Sequence, residues 1–281
     1  MKVVIFCGGL GTRIRDYSES IPKAMIPVGH QPIMLHLMNY YAQYGHRDFV
    51  LCLGYKANVI KDFFVNYRPH SYVDCVVSTP GGSVELLDKS QADWRITMLD
   101  TGIWRSIGQR LLAVREQVEN EEMFFANYSD GLCDVSLTEM MAAFRASGKV
   151  ACFLAVRPQL SFHFLDMDAA GAVQSVRHIQ QSDMWVNGGY FIFRPEIFDY
   201  IREGDDLMDA PFARLIEAGQ VMAYKHDGFW RCMDTLKDKQ ALEDLMEQGV
   251  TPWRLQNGHA AHPAGTTGSD PMPVMADALK A

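Results

Sequence analysis

The residues with the clearest chemical potential lie at the start of the chain. An apolar run, Val3-Val4-Ile5-Phe6, leads into Cys7-Gly8-Gly9-Leu10-Gly11-Thr12-Arg13, and Pro22-Lys23 follows. Three glycines within four residues allow positive φ and close approach of a ligand to the backbone. Successive N–H groups in such a turn make a concave anion site. Arg13 adds a fork of donors that fits phosphate, and Lys23 adds a second cation. This pattern predicts a phosphate-binding loop for a nucleoside triphosphate, with Gly8, Gly9, Leu10, Gly11, Thr12 and Arg13 against the ligand. Neither G-x-x-x-x-G-K-[ST] nor G-x-G-x-x-G is present, so a Walker A loop and a dehydrogenase fingerprint are both unsupported. Further along, Asp130 follows the apolar run Met123 to Asn127 and precedes Gly131. A carboxylate at such a strand end suits Mg²⁺, which takes few protein ligands and lets substrate phosphates complete its shell. A plain turn aspartate has the same local pattern.

These residues need a scaffold, and the hydrophobic spacing supplies one. Val3 to Phe6 lacks polar alternation, as a strand buried on both faces does. Met34, Leu37, Met38 and Tyr41 predict a helix over Ile33 to Tyr44, ended by Gly45. Phe49 to Leu53 reads as a strand, and a helix carries Val59, Ile60, Phe63 and Phe64. Arg95 to Leu99 is a strand, Gly108 to Val118 a helix, Met123 to Asn127 a strand. Ser136 and Glu139 match a capping box at the start of the next helix. Lys149 to Val156 is a strand. Phe162 to Met167 and Ala172 to Val176 alternate around Asp168-Ala169-Ala170-Gly171, as an antiparallel hairpin does. Val186 to Phe193 returns to the core. Helices over Pro195 to Ile201 and Asp209 to Ala218, a strand over Val221 to Lys225 and a helix from Leu236 to about Glu247 complete the pattern. The alternation predicts an α/β fold with a doubly wound, Rossmann-like, mostly parallel sheet and a small antiparallel β lobe. Ligands bind beyond the carboxyl ends of such strands, where the opening loop lies. One domain over residues 1–257, with the lobe inserted at about 157–193, and a tail over 258–281 rich in Ala, Pro, Gly, Thr, Ser and His are expected.

Composition narrows the class. The 281 residues are 48% apolar and 21% charged, with a net charge of −8. That balance disfavours a nucleic-acid binder, and the cations must be concentrated locally to hold a triphosphate. The six cysteines form no C-x-x-C or zinc spacing. There is no signal-peptide shape and no apolar stretch of about 20 residues. The expectation is a cytoplasmic protein without membrane partners. Neither the cysteines nor the nine histidines are assigned catalytic roles.

Gly8 to Arg13, Pro22-Lys23 and Pro27-Val28-Gly29-His30-Gln31-Pro32-Ile33 together resemble the signature of the sugar-1-phosphate nucleotidylyltransferases. Trp94 to Gly102, Gly108-Gln109-Arg110-Leu111 and Gly228 to Thr235 resemble its cytidylyltransferase branch. The likeness covers residues 1 to about 255. It implies the nucleotide-diphospho-sugar transferase type of fold. The implied reaction is Mg²⁺-dependent transfer of CMP from CTP to a phosphorylated acceptor, a sugar 1-phosphate such as glucose 1-phosphate, with release of pyrophosphate. It implies Arg13 and Lys23 as catalytic cations, Gly108 and Arg110 against the nucleotide with Arg110 near the cytosine, and Asp130 with Asp234 as metal ligands. Read alone, Asp234 fits an N-cap. Asn187-Gly188-Gly189 resembles the family's acceptor loop, and family members are homo-oligomers.

The likeness breaks at the acceptor side. The family's Glu-Lys-Pro segment here reads Val176-Arg177-His178-Ile179-Gln180, its Arg-Phe-Gly is Ser161-Phe162-His163, and the lysine of its Gly-Lys-Pro is Gln31. Arg177 and His178 are the candidate replacement cations. The departures leave a non-sugar phosphate or phosphonate acceptor as an alternative. A non-catalytic nucleotide-binding protein on the same fold is a further alternative of another class.

Overall fold

The computed structural model describes residues 1–14, 20–79, 81–87, 93–159, 162–179 and 183–254. The predicted tail therefore lies outside the described residues. Seven strands form the central sheet: β1 (Lys2–Phe6), β2 (Asp48–Leu53), β3 (Arg95–Asp100), β4 (Phe124–Asn127), β5 (Ala151–Val156), β6 (Val186–Phe193) and β7 (Val221–His226). Their order in space is β7-β5-β6-β4-β1-β2-β3. Pairs β1·β2, β1·β4, β2·β3 and β5·β7 are parallel, while β6 runs antiparallel to both β5 and β4.

The helices are α1 (Ile33–Gln43), α2 (Ala57–Val65), α3 (Ile107–Ala113), α4 (Arg115–Val118), α5 (Leu137–Ser147), α6 (Ala210–Glu217) and α7 (Leu236–Glu247). They cover both faces of the sheet. Val3, Ile5 and Phe125 pack into one core with α1 and α5. Val4, Phe6, Phe124 and Ala126 pack into a second core with α3 and α6. A strand buried on both faces has no reason to alternate polar residues, which is why β1 reads as a continuous apolar run.

The topology places a crevice. From β1 the chain steps outward through β2 to β3, then returns to β4 on the other side of β1. This reversal opens a gap between the carboxyl ends of β1 and β4, the usual ligand position in such sheets. The glycine loop and Asp130 leave those two ends.

Some local expectations are corrected. The helix expected over Gly108 to Val118 breaks at Val114 (φ −107°, ψ 10°), which bonds to Leu111 three residues back. Pro195–Asp199 is a 3₁₀ turn. The capping interaction at Ser136 is one-sided, its Oγ accepting from Glu139 N, whereas a complete box forms at Thr235 and Asp238. Three two-stranded pieces were not expected: Pro27–Val28 with Gln31–Pro32, Cys75–Ser78 with Ser83–Leu86, and Gly131–Cys133 with Trp230–Cys232. Among the described residues no helix is long and apolar enough to cross a membrane.

Candidate active site

The three glycines of the opening loop do different things. Gly8 makes room for protein rather than ligand: a Cβ there would lie 2.1 Å from Arg110 Nη1 and 2.9 Å from Gly54 N. Gly9 has no heavy atom within 4 Å of its Cβ position and faces open space. Gly11 takes φ +62°, which an L side chain adopts at a cost. Gly9, Leu10, Gly11 and Thr12 line a cleft of about 760 Å³. The Arg13 side chain lies outside what the structure describes.

Arg110 is the clamp behind this loop. The residue is 2% exposed. Nη2 donates to Gly8 O and Ile103 O at 3.0 Å each, and Nη1 donates to Thr101 Oγ1 at 2.8 Å and Leu53 O at 3.2 Å. Four oxygens thus occupy the four terminal N–H groups. Arg110 reaches the cleft wall, but what it holds is three backbone carbonyls and the Thr101 hydroxyl. Gly108 is not part of that wall. A Cβ there would meet Asp205 O at 2.7 Å, so its small size serves packing of α3 on the Asp205 loop.

Asp130 and Asp234 are 104 positions apart and are joined through the small sheet. At the end of β4, Asn127 Oδ1 accepts from Ser129 N at 3.0 Å, and Ser129, at φ +68°, donates Oγ to Phe6 O at 3.0 Å. This turn ties the end of β4 to the end of β1. Gly131–Cys133 then pairs antiparallel with Trp230–Cys232, and Met233 N donates to Asp130 O at 2.8 Å. Lys23 Nζ sits between the two carboxylates, 2.6 Å from Asp130 Oδ2 and 2.6 Å from Asp234 Oδ1. Asp234 is not the N-cap of α7; Thr235 is.

The three charges shift one another. Burial pushes the Asp130 carboxyl up, the Lys23 ammonium pulls it back only in part, and the Asp234 charge adds to the rise. Burial works against the Lys23 ammonium, but the charges and hydrogen bonds of the two aspartates outweigh it, so its pKa stands above the ordinary lysine value. Cys232, beside Asp234, is pushed up to about 12 by burial and by the neighbouring carboxylates. It stays a thiol at neutral pH.

Asn187, Gly188 and Gly189 also line the cleft. Asn187 Oδ1 accepts from Gly189 N at 2.9 Å, and Gly188 O accepts from Trp230 Nε1 at 2.8 Å. Gly189 has φ +78°, and a Cβ there would press to 2.9 Å of Tyr128 Cδ2. Arg177 and His178 are elsewhere. They lie on the hairpin His163–Met167 with Val173–His178, and neither belongs to the cleft wall. Arg177 Nη2 pairs with Asp166 Oδ2 at 2.9 Å, and the His178 ring meets His163 edge-on at 5.1 Å. The candidate replacement cations are therefore not brought to the cleft. Residues that the motifs did not mark include Tyr128, Asp206, Ile103 and Trp104 on its wall. Trp230 lies within the Gly228 to Thr235 run, whose resemblance points to Asp234, and it too is on the wall.

The glycine loop, a lysine between two carboxylates and the Asn187–Gly189 turn line one cleft at the switch point of a doubly wound sheet. The chain belongs to the nucleotidyl transferase family of enzymes, whose model matches residues 2–241. It is 38% identical over 256 residues to the glucose-1-phosphate cytidylyltransferase of Salmonella typhi, covering 90% of this chain and 99% of that one. It is 32% identical over 258 residues to a probable glucose-1-phosphate cytidylyltransferase of Bacillus subtilis, covering 91% and 100%. Among solved structures, HddC from Yersinia pseudotuberculosis superposes with a TM-score of 0.63 at 18% identity, over 87% of this chain and 99% of that chain. UDP-glucose pyrophosphorylase complexed with UDP-glucose gives 0.64 at 14% identity, over 88% and 98%. The structural likeness bears out the fold.

Proposed function

We propose that the protein transfers CMP from CTP to a phosphorylated acceptor, with glucose 1-phosphate as the first candidate. An acceptor phosphate oxygen attacks the α-phosphorus, a new P–O bond forms, the bond to the β-phosphate bridge breaks, and pyrophosphate leaves. The observation that carries this reading is the Asp130–Lys23–Asp234 constellation on the wall shared with the glycine loop. The relatives named above supply the choice of CTP and of a sugar 1-phosphate.

Such transfer rests on positioning and charge neutralisation more than on covalent catalysis. The backbone of Gly9 to Thr12 binds the phosphates beyond the reacting one. Lys23 offsets charge that develops at the α-phosphate. Arg13, the next residue of that loop, is proposed as a second phosphate cation. Asp130 and Asp234 suit Mg²⁺, because both aim an oxygen at one cation, an ammonium, and two carboxylates leave most of an octahedral shell to water and phosphate. Bound Mg²⁺ would screen the charge between two anions that must approach each other. Asn187 to Gly189 line the acceptor side.

The ion pair of Arg177 with Asp166, away from the cleft, supports a second reading in which the acceptor is a non-sugar phosphate or phosphonate. The test is pyrophosphate release with CTP, Mg²⁺ and a panel of sugar 1-phosphates, small phosphates and phosphonates, with ATP, UTP and dTTP as controls. Turnover with glucose 1-phosphate supports the first reading. Silence there with turnover on a non-sugar acceptor selects the second. No turnover with any pair removes both.

A further inference from the structure

Trp104 is the most exposed large apolar side chain of the described residues, at 85%, and it lies on the wall of the cleft. Leaving an indole in water at a cleft mouth forgoes the gain of burying a large apolar side chain, so a ligand that covers it is the economical explanation. The loop that carries it is not slack. Thr101 Oγ1 donates to Leu53 O at 2.7 Å, Gly102 N donates to Asp100 Oδ1 at 3.0 Å, and Ser106 Oγ donates to Asp205 O at 2.6 Å. Ile103 O is held by Arg110 Nη2, the same nitrogen that holds Gly8 O. One buried guanidinium therefore fastens both the phosphate loop and the loop that bears Trp104, and so fixes the span between them.

That span has a chemical meaning under the reading given above, on which this inference rests. A nucleotide held by its phosphates at Gly9 to Thr12 extends its base away from them. Trp104 follows β3, on the β1–β2–β3 side of the crevice, whereas Asn187 to Gly189 lie on β6, on the other side. We infer that Trp104 is the stacking platform for the nucleobase, with Arg110 as the positioning residue that sets its distance from the phosphate loop. Base–aromatic stacking tolerates any base, so Trp104 contributes affinity for nucleotides in general while other groups choose cytosine.

The experiment is calorimetric titration of CTP, and separately of inorganic tripolyphosphate, into the wild-type protein, Trp104→Ala and Trp104→Phe. Trp104→Ala should weaken CTP binding about tenfold, Trp104→Phe should restore most of it, and tripolyphosphate binding should be equal in all three. The KM for the acceptor should not move. Equal CTP affinity in wild type and Trp104→Ala overturns the inference. An equal loss with tripolyphosphate overturns it too, because the ring would then act through the loop and not on a base. A loss of molecular mass by light scattering in Trp104→Ala would assign the ring to a subunit contact instead. If the wild type binds no nucleoside triphosphate, the functional reading fails, and the inference falls with it; a wild type that binds and a variant that binds equally sinks the inference alone.

Discussion

The glycine loop after β1 and the hairpin His163–Met167 with Val173–His178 differ in what holds them. Behind the glycine loop stand a buried arginine with four bonds to oxygen, a strand end tied across by Ser129, and a lysine between two aspartates. The hairpin stands in solvent. Leu165, Met167, Val173 and Val176 are each at least half exposed, and the ion pair of Arg177 with Asp166 is at the surface. The braced side suits a ligand part common to many reactions, a triphosphate, which needs fixed donors. The solvent-exposed side can change its residues without disturbing the core, and the segment that departs from the family's Glu-Lys-Pro lies there; Gln31, the other departure, is buried against His36.

The sharpest way to break this contrast is at Lys23. Lys23→Met removes the cation between Asp130 and Asp234. Turnover should fall by about 100- to 1,000-fold, the range for loss of one group that stabilises transition-state charge. The melting temperature should change little beside that. Steady-state kinetics with saturating CTP and Mg²⁺ checks it; turnover within threefold of wild type would remove Lys23 from the chemistry.

A second perturbation acts through acid. His36 is buried at 1% exposure, with its Nε2 bonded to Val28 O at 2.9 Å. Its Nδ1 takes bonds from Gln31 Nε2 at 2.9 Å and Trp253 Nε1 at 3.2 Å. Nδ1 must therefore act as an acceptor, so the ring is neutral. Burial lowers its pKa to about 4, with the charges of Arg254 and His30 acting the same way and the Val28 hydrogen bond opposing. The unfolded chain takes up the proton first, near pH 6.5, so the stabilisation is full above 6.5 and is lost as pH falls towards 4. The full loss amounts to about 3 kcal/mol. Denaturant titrations at pH 7, 5.5 and 4.5 should show the decline, and His36→Gln should flatten it; an unchanged slope in that variant would show that other groups carry the acid sensitivity.

Gly8→Ala sharpens the same side of the comparison. The added methyl collides with the Arg110 guanidinium and with Gly54 N, and overpacking of this kind costs about 1–3 kcal/mol. The KM for CTP should rise together with the loss of stability. Gly9→Ala, with no neighbour within 4 Å, should leave stability unchanged and raise only KM. If both variants lose stability equally, the division of labour between the two glycines is wrong.

The strands and most helices were legible because their burial is periodic: β1, α1 and α7 stand where the apolar spacing puts them. Lys23 and Asp130 were legible from charge placed at a strand end and in a loop. The pairing of Asp130 with Asp234 was not readable from spacing, because it depends on the three-residue ladder Gly131–Cys133 with Trp230–Cys232, too short to leave a period. That link came from the resemblance. Gly8 and Gly108 show a related ambiguity: both are expected against the nucleotide, and their Cβ positions face Arg110 and Asp205. Glycine marks close approach, but whether the approaching atom belongs to a ligand, to Arg110 or to Asp205 is decided in three dimensions.

The smallest expected effect falls on the hairpin. Arg177 and Asp166 are both more than half exposed, and ion pairs so placed contribute little to stability. Asp166 is held below the usual carboxylate range chiefly by the Ser175 hydroxyl, then by the Arg177 charge, so Arg177 is engaged on the hairpin itself. Arg177→Ala should change the KM of the acceptor by less than twofold and stability by less still. A tenfold rise in acceptor KM with CTP binding unchanged would mean that the hairpin turns Arg177 into the cleft when acceptor is present. The exposed half of the molecule would then be a moving part of the site, and the contrast with the braced half would be one of timing instead of function.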